Sequence, residues 1–517
     1  MTRERPLLPV RPAVAGAVGG ALGVAGALAV GELFAGLLPG IPSLLPSVGR
    51  WLIDAQPPGA KDLMVSLFGT NDKLVLELVI VLVSLAIGAL LGILSLRAFR
   101  VAAYAFAAFG LVGFLAALRD NLAVPTFTAV AAATSVAFGI GIMSWLSGVG
   151  SERHGPAATP WTSMPSWSRR DFMVRTGALA AASVAVGGFG RWLTTERERS
   201  PASLPIPGTG AVVELPAGAD LGIDGLTPIV VPNDDFYRID TALIIPAVDV
   251  TAWSLKVTGM VDKPVTLTYQ ELVALPLIEQ YVTISCVSNE VGGDLVGNAK
   301  WTGVRLRDVL AMAGVQRGAT QLIGRSVDGF TAGMPTAWVM DPRREPMIAV
   351  KMNGEPLPRL HGYPARLIVP GLYGYVSATK WLTELKLTTM EAEDGYWVPL
   401  GWAKQAPILT QSRIDLPPRG RVPAGQQVIA GIAWAPDRGV ARVEVQIDGG
   451  DWHDAVLSHP ISDATWVQWK LDWAPAPGDH TLVVRATDKT GATQPVERTR
   501  PDPDGARGWH IRAVTIV

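Results

Sequence analysis

The sequence predicts a multi-domain chain of N-terminal transmembrane α-helices, an α+β domain and a C-terminal immunoglobulin-like β-sandwich. Three observations predict it. Four apolar, charge-free runs crowd the first 150 residues, short strand and helix patterns without regular alternation fill the middle, and residues after 405 alternate apolar and polar side chains. A mean hydropathy of +0.29 with 17% charged residues is high for a chain wholly in water, so part of it is expected in lipid.

The runs Ala13 to Gly31, Leu78 to Leu96, Val101 to Leu118 and Leu122 to Leu146 each approach the ~20 residues that cross a bilayer. Gly16 with Gly20, and Gly19 with Gly23, are small residues four apart. That spacing suits close helix packing and equally suits ordinary Gly-rich membrane sequence. Glu32 and Glu77 fall at span ends, where an interfacial place is expected rather than one in an ion path.

The next apolar stretch, Gly177 to Gly190, has 14 residues, which is short for a span and close to a signal-peptide core. SRRDFM, Ser168 to Met173, precedes it and resembles an internal twin-arginine (Tat) export signal; the alternative is that Arg169 and Arg170 are positive-inside anchors. With the N-terminus inside, nine basic residues fall inside and four outside. The chain is therefore expected to be a multi-pass membrane protein whose soluble part, after about Arg191, is extracytoplasmic.

Thr194 to Gly210 is charged and then Pro-rich, the composition of a linker. SLKVTGMVDKP is a strand pattern, TYQELVAL a helix capped by Thr268 with Glu271, and Val304 to Ala313 a second helix. Further on, Val443, Val445 and Ile447 alternate with Arg442, Glu444 and Gln446, and Val467 to Trp473 and Leu482 to Ala486 repeat the pattern. Gly449-Gly450 marks a hairpin turn. The expected domains are 1–150 (four transmembrane helices), 151–210 (cytoplasmic loop, fifth apolar segment and linker), 211–404 (catalytic) and 405–517 (sandwich).

A net charge of -1 without a basic, aromatic-laced stripe excludes a nucleic-acid partner, and neither a dinucleotide fingerprint nor a P-loop is present. The single cysteine, Cys286, excludes an internal disulfide or a CxxC site. It ends the β-type run TISC and precedes a polar, Gly-rich stretch, Val287 to Asn298. A thiol at a strand end facing a loop is suited to nucleophilic attack or to a single metal bond.

The Cys-x-x-Asn run at Cys286, the WTGVRLRDVL that follows, and MNGEPLPRLHGYPARLIVPGLYGY (Met352 to Tyr375) resemble the molybdopterin-binding domain of the sulfite oxidase family. The C-terminal strands resemble that family's dimerisation domain. The resemblance implies a molybdenum cofactor (molybdopterin) with the Cys286 thiolate as metal ligand, oxygen-atom transfer as the reaction, and a homodimer through the C-terminal domain. It nominates Asn233, Asp234, Tyr237 and Arg238 in PNDDFYRI, Asp328 in SVDGF, His361 and Arg366 in HGYPAR, and Gly374, Tyr375, Ser377 and Lys380 in GLYGYVSATKW as cofactor contacts. Tyr237 and Glu290 join Cys286 as candidate catalytic residues.

Two departures bear on substrate. Glu290 and Val291 stand where the family tends to follow Cys-x-x-Asn with an arginine pair, and Val376 stands near the position of a further arginine. A dianion such as sulfite wants converging cations, so a small neutral or cationic S- or N-oxide, or an oxidised side chain on another protein, suits this pocket at least as well. All six histidines lie outside the four spans and no CxxCH is present, so no haem is expected, and electrons pass to a separate redox partner or a quinone. A cysteine-nucleophile hydrolase and a cofactor-free tethered binding protein remain as alternatives.

Overall fold

The computed structural model of the protein describes residues 12–38, 40–55, 72–120, 123–147, 169–199, 206, 208, 213–242 and 245–517. The chain forms two compact units. One comprises residues 1–200 with 242–247, the other 201–241 with 248–517.

The first unit is built on helix α1 (Pro12–Leu37), which α2 (Leu44–Asp54), α3 (Asp72–Ala117), α4 (Pro125–Ser147) and α5 (Arg169–Arg199) surround. Four helices are long and apolar enough to cross a membrane: α1, α3, α4 and the Arg170–Glu196 part of α5. The sequence shows only 14 apolar residues in the last of these; the helix runs on into charged residues at both ends and so reaches a spanning length.

Glycines let these helices touch backbone to backbone. A Cβ on Gly20 would lie 1.9 Å from the Gly88 carbonyl oxygen, one on Gly23 2.6 Å from that of Gly139, and one on Gly36 2.4 Å from that of Gly190. The small-residue spacing read from the sequence is therefore a packing surface.

The runs Leu78 to Leu96 and Val101 to Leu118 fall in one helical stretch that leaves helical geometry at Ala98 (φ -146°, ψ 69°). Its first half opposes α1 with Gly88 and Gly92 against Gly20 and Gly16, while Gly113 near its end meets Leu44, just beyond the end of α1. Both ends thus lie at one end of the bundle. A straight helix of this length would reach roughly 70 Å, so the chain doubles back at Ala98. At the same end Glu32 is half-buried with Ser43 donating to it, and Arg191 pairs with Glu77 at 3.0 Å. Each of the two carboxylates thus has a partner within the bundle.

In the second unit, β1 (Ser254–Gly259), β2 (Val265–Thr268), β5 (Gln321–Ser326), β6 (Thr331–Pro335) and β10 (Leu382–Thr388) form a mixed sheet in the order β2-β1-β10-β5-β6. A second sheet runs β3-β4-β7-β8 (Leu277–Ser285, Val296–Arg305, Met347–Met352, Glu355–Pro356), with β9 (Arg366–Ile368) on β7. The helix Tyr269–Val273 starts with the expected capping box of Thr268 and Glu271. β3 and β4 pair in continuous antiparallel register from Leu277↔Val304 to Ser285↔Val296, so Cys286 is the first residue of the loop that closes this hairpin.

The C-terminal strands form two sheets, β11-β13-β17-β16 and β12-β19-β18-β14-β15, packed on Val443, Val445, Trp469, Leu482 and Val484. In chain order these are β11 Gln411–Leu416, β12 Gly420–Val422, β13 Gln427–Trp434, β14 Val440–Ile447, β15 Trp452–Asp454, β16 Val456–Leu457, β17 Val467–Trp473, β18 Gly478–Asp488 and β19 His510–Ile516. The alternation holds with one departure. Glu444, on the polar side of β14, is only 3% exposed because Arg485 closes over it with two bonds of 2.9 and 3.1 Å and Arg442 adds a third.

Candidate active site

Cys286 is 8% exposed, placed by the hairpin and by a bond from its own N–H to the Leu295 carbonyl at 2.9 Å. Its carbonyl accepts the Asn289 N–H at 3.1 Å, and Asn289 Oδ1 accepts the Leu295 N–H at 2.9 Å, so Asn289 ties the loop shut behind the thiol. The Asn289 amide nitrogen is buried without a hydrogen-bond partner.

Two phenols face the thiol. Tyr237 is driven well above the usual phenol range by burial, then by the charge of Cys286, with the cation of Arg366 opposing. Tyr373, 2% exposed, is pushed up to about 12 by burial, with Cys286 and Asp504 adding to it and Arg507 opposing.

Behind Tyr237 lies a buried cationic group. Arg366 is 2% exposed on β9; its Nη1 donates to the His361 carbonyl at 3.0 Å, and its guanidinium stands 5.0 Å from the Trp301 ring centre. Its Nε is buried with no hydrogen-bond partner. Burial brings this guanidinium down to about 10 and the Lys380 ammonium to about 8. Asp240 bridges Lys380 (3.1 Å) and Arg238 (2.9 Å), so these two cations share one carboxylate while Arg366 has none among the described residues. His361 donates its Nε2–H to the Asn233 carbonyl at 2.8 Å, and burial, then Lys380, lowers it to about 4, which keeps it neutral. Phe236 seats this imidazole edge-on at 5.7 Å.

Unpaired positive charge in a buried pocket is unfavourable unless an anion completes it. An unpartnered guanidinium N–H within that pocket is the donor such an anion would use, so the residues fit a phosphate-bearing cofactor. Among the described residues no group of three or more His, Cys, Asp or Glu could hold a metal.

Comparison with known proteins agrees. Residues 242–397 match the oxidoreductase molybdopterin-binding domain, and residues 411–501 the Mo-co oxidoreductase dimerisation domain. The mitochondrial sulfite oxidase of Rattus norvegicus is 31% identical over 317 residues, which cover 52% of this chain and 57% of that protein.

Residues 242–397 and 411–501 thus carry the molybdopterin-binding and dimerisation domains of molybdenum-cofactor oxidoreductases, and the chain is similar there to sulfite oxidases.

It spans a little over half the length of the sulfite oxidases that it matches. A nitrate reductase [NADH] of Oryza sativa is 28% identical over 315 residues, covering 48% of this chain and 34% of that protein. Among solved structures, the sulfane dehydrogenase SoxCD of Paracoccus pantotrophus is similar at a TM-score of 0.49 and 24% identity, over 61% of this chain and 94% of that one.

Of the residues nominated on the family resemblance, the structure brings Cys286, Tyr237, Arg238, His361, Arg366 and Lys380 together, with Asn233 beneath His361. Gly374 starts a short helix against β3, where an added Cβ would lie 3.7 Å from the Ser285 carbonyl oxygen. Other side chains are engaged locally. Ser377 donates to the Leu372 and Tyr373 carbonyls, Asp328 accepts the Phe330 N–H in its own turn, Tyr375 donates to Ala403, and Asp234 and Glu290 stand exposed. Tyr373, Trp301, Asp504 and Arg507 were not singled out in the sequence. Tyr373 lies inside GLYGY and was legible there as an aromatic beside a nominated glycine. Trp301 opens the run WTGVRLRDVL but had no role assigned there, and Asp504 and Arg507 become visible only when segments remote in sequence meet.

Proposed function

We propose that this chain is a membrane-anchored enzyme that carries its molybdenum centre at Cys286 on the outer face of the membrane and transfers an oxygen atom to or from a neutral S- or N-oxide. The observation that carries the reading is the buried Cys286 beside the Arg366 pocket, whose guanidinium Nε has no partner within the protein.

In this reading Arg366, Lys380 and Arg238 hold the cofactor's anionic group, and His361 and Asn233 its polar edge. The bound cofactor supplies a metal that cycles between its IV and VI states as oxygen is moved, with water as oxygen source or product. The chain's own part is to fix the thiolate, to exclude water with Tyr237, Tyr373 and Trp301, and to keep phenolic protons on Tyr237 and Tyr373 beside the thiol. Asp504 and Arg507 pair with each other at 2.6 Å, so the nearest charges on the Tyr373 side cancel and favour an uncharged substrate over sulfite. His361 donates its Nε2–H in a hydrogen bond to the Asn233 carbonyl and is held neutral, which supports a cofactor contact over the base of a cysteine hydrolase. The Tat-like signal, the outward orientation and a separate redox partner or quinone belong to the same proposal. Export of a folded, loaded domain is consistent with a cofactor seated so deeply.

The test is molybdenum content and oxidised-pterin fluorescence of the full chain and of Cys286→Ser, from a host that makes the cofactor. About one metal and one pterin per chain are expected, with the variant keeping pterin and losing oxide reduction by on the order of a hundredfold or more. Well-folded protein with neither metal nor pterin would leave a tethered binding protein as the better account. Activity with sulfite well above that with sulfoxides or N-oxides would overturn the substrate assignment alone.

A further inference from the structure

The C-terminal sandwich grips the loop that carries Cys286. Arg413, on β11, donates Nη1 to the Gly293 carbonyl at 2.8 Å, while its Nε is held by Asp415 at 2.7 Å and its Nη2 reaches Thr227 at 2.7 Å. A guanidinium anchored at three points is a rigid post.

The neighbouring residue is held by shape. Gly292 has φ +78°, and a Cβ there would fall 2.3 Å from Cδ2 and 2.5 Å from Nε2 of His510. Only glycine satisfies both the backbone and the approach. His510 is 3% exposed on β19 (His510–Ile516), and its Nδ1 accepts the Ile414 N–H at 2.9 Å, so the ring is fixed by the strand that bears Arg413.

A third grip lies on β3, three residues before the thiol. Thr283 donates its N–H to the Ala464 carbonyl at 2.9 Å and accepts the Trp466 N–H on its hydroxyl at 2.8 Å. The thiol is thus flanked on both sides by contacts from the sandwich, whereas the sequence offers that domain only a supporting or dimerising role.

We propose that Arg413 and His510 are positioning residues for the molybdenum ligand: the sandwich sets the direction of the Cys286 thiolate through Gly293 and Gly292. This rests on Cys286 being the metal ligand. Groups that orient a metal ligand from one shell away change metal properties as well as stability, and their loss costs on the order of 10–100-fold in activity.

The test uses the full chain loaded with cofactor, with Arg413→Met, Arg413→Lys, His510→Gln and Gly292→Ala. Each is measured for metal and pterin content, thermal midpoint, kcat, and the paramagnetic resonance spectrum of the half-reduced metal. Expected are near-wild-type metal and pterin, a kcat lower by on the order of tenfold or more in Arg413→Met and Gly292→Ala, and a changed spectrum in both. Arg413→Lys, which keeps a cationic donor, should fall between them and wild type. A spectrum identical to wild type in every variant that retains metal would overturn the proposal and leave the contacts as domain glue. If Arg413→Met fails to fold, Gly292→Ala and His510→Gln decide by the same spectrum. Wild-type protein without metal would instead overturn the assignment of Cys286, and this proposal with it.

Discussion

The guanidinium of Arg366 lies 5.0 Å from the ring centre of Trp301, and both side chains are almost completely buried. A cation so placed is stabilised by the ring face and by one carbonyl, and it keeps one N–H for something that the protein does not supply. Arg366→Met should therefore lower the pterin retained after purification by on the order of tenfold or more, with the apoprotein still folded. Arg366→Lys should rescue little of it, because an ammonium cannot repeat the fork. Pterin fluorescence per chain checks both.

Glu290 is exposed in the loop after Cys286, at a position where the family resemblance leads one to expect a cation. Glu290→Arg should reduce KM for sulfite by on the order of tenfold and steepen its dependence on ionic strength, while affecting a neutral sulfoxide far less. Steady-state kinetics at two salt concentrations on both substrates would show it.

His361 and His510 are both lowered to about 4, in each case chiefly by burial. A histidine whose folded value is depressed binds its proton first in the unfolded chain, near 6.5. Folding stability is therefore full above pH 6.5 and is lost as pH falls from 6.5 towards 4. Cofactor-free protein should show a falling thermal midpoint across that window, and His510→Gln should flatten part of the slope. Calorimetry from pH 7.5 to 4.5 measures it.

Gly20 meets the Gly88 carbonyl oxygen so closely that a Cβ would fall 1.9 Å away, whereas nothing lies within 4 Å of a Cβ on Gly141. Gly20→Leu should separate α1 from α3 and destabilise the bundle by more than ~1–3 kcal/mol, the usual cost of overpacking. Gly141→Ala should change it little. Thermal aggregation of the full chain in detergent distinguishes the two.

Glu444 is buried within the sandwich and held by Arg485 and Arg442. Removing Arg485 takes away both the side chain that covers this carboxylate and two of its three bonds, so Arg485→Ala should cost roughly 1–3 kcal/mol. Glu444→Gln, which removes the charge itself, should cost less, as denaturant titration of the two variants would reveal.

What was legible in the sequence was whatever depends on neighbours in the chain. The apolar runs, the Thr268 capping box, the sandwich alternation and the thiol at a strand end all follow from local periodicity or from one turn of backbone. The family motifs were legible for the same reason, since Cys286 to Asn289 and His361 to Arg366 are short contiguous runs.

The tertiary structure decided what depends on residues far apart. It folded two apolar runs back at Ala98 and gave Glu32 and Glu77 internal partners. It also buried Glu444 on a face that alternation marks as polar, because Arg485 on β18 covers it. It placed Tyr373, Trp301 and the sandwich residues Arg413 and His510 around a loop more than a hundred positions from the last two. Sequence alone determined that this chain has helices long and apolar enough to span a membrane and a single cysteine at a strand end, suited to a metal bond or to nucleophilic attack. Which side chains surround that cysteine is set by strand register and close packing between remote segments, and no local pattern encodes those distances.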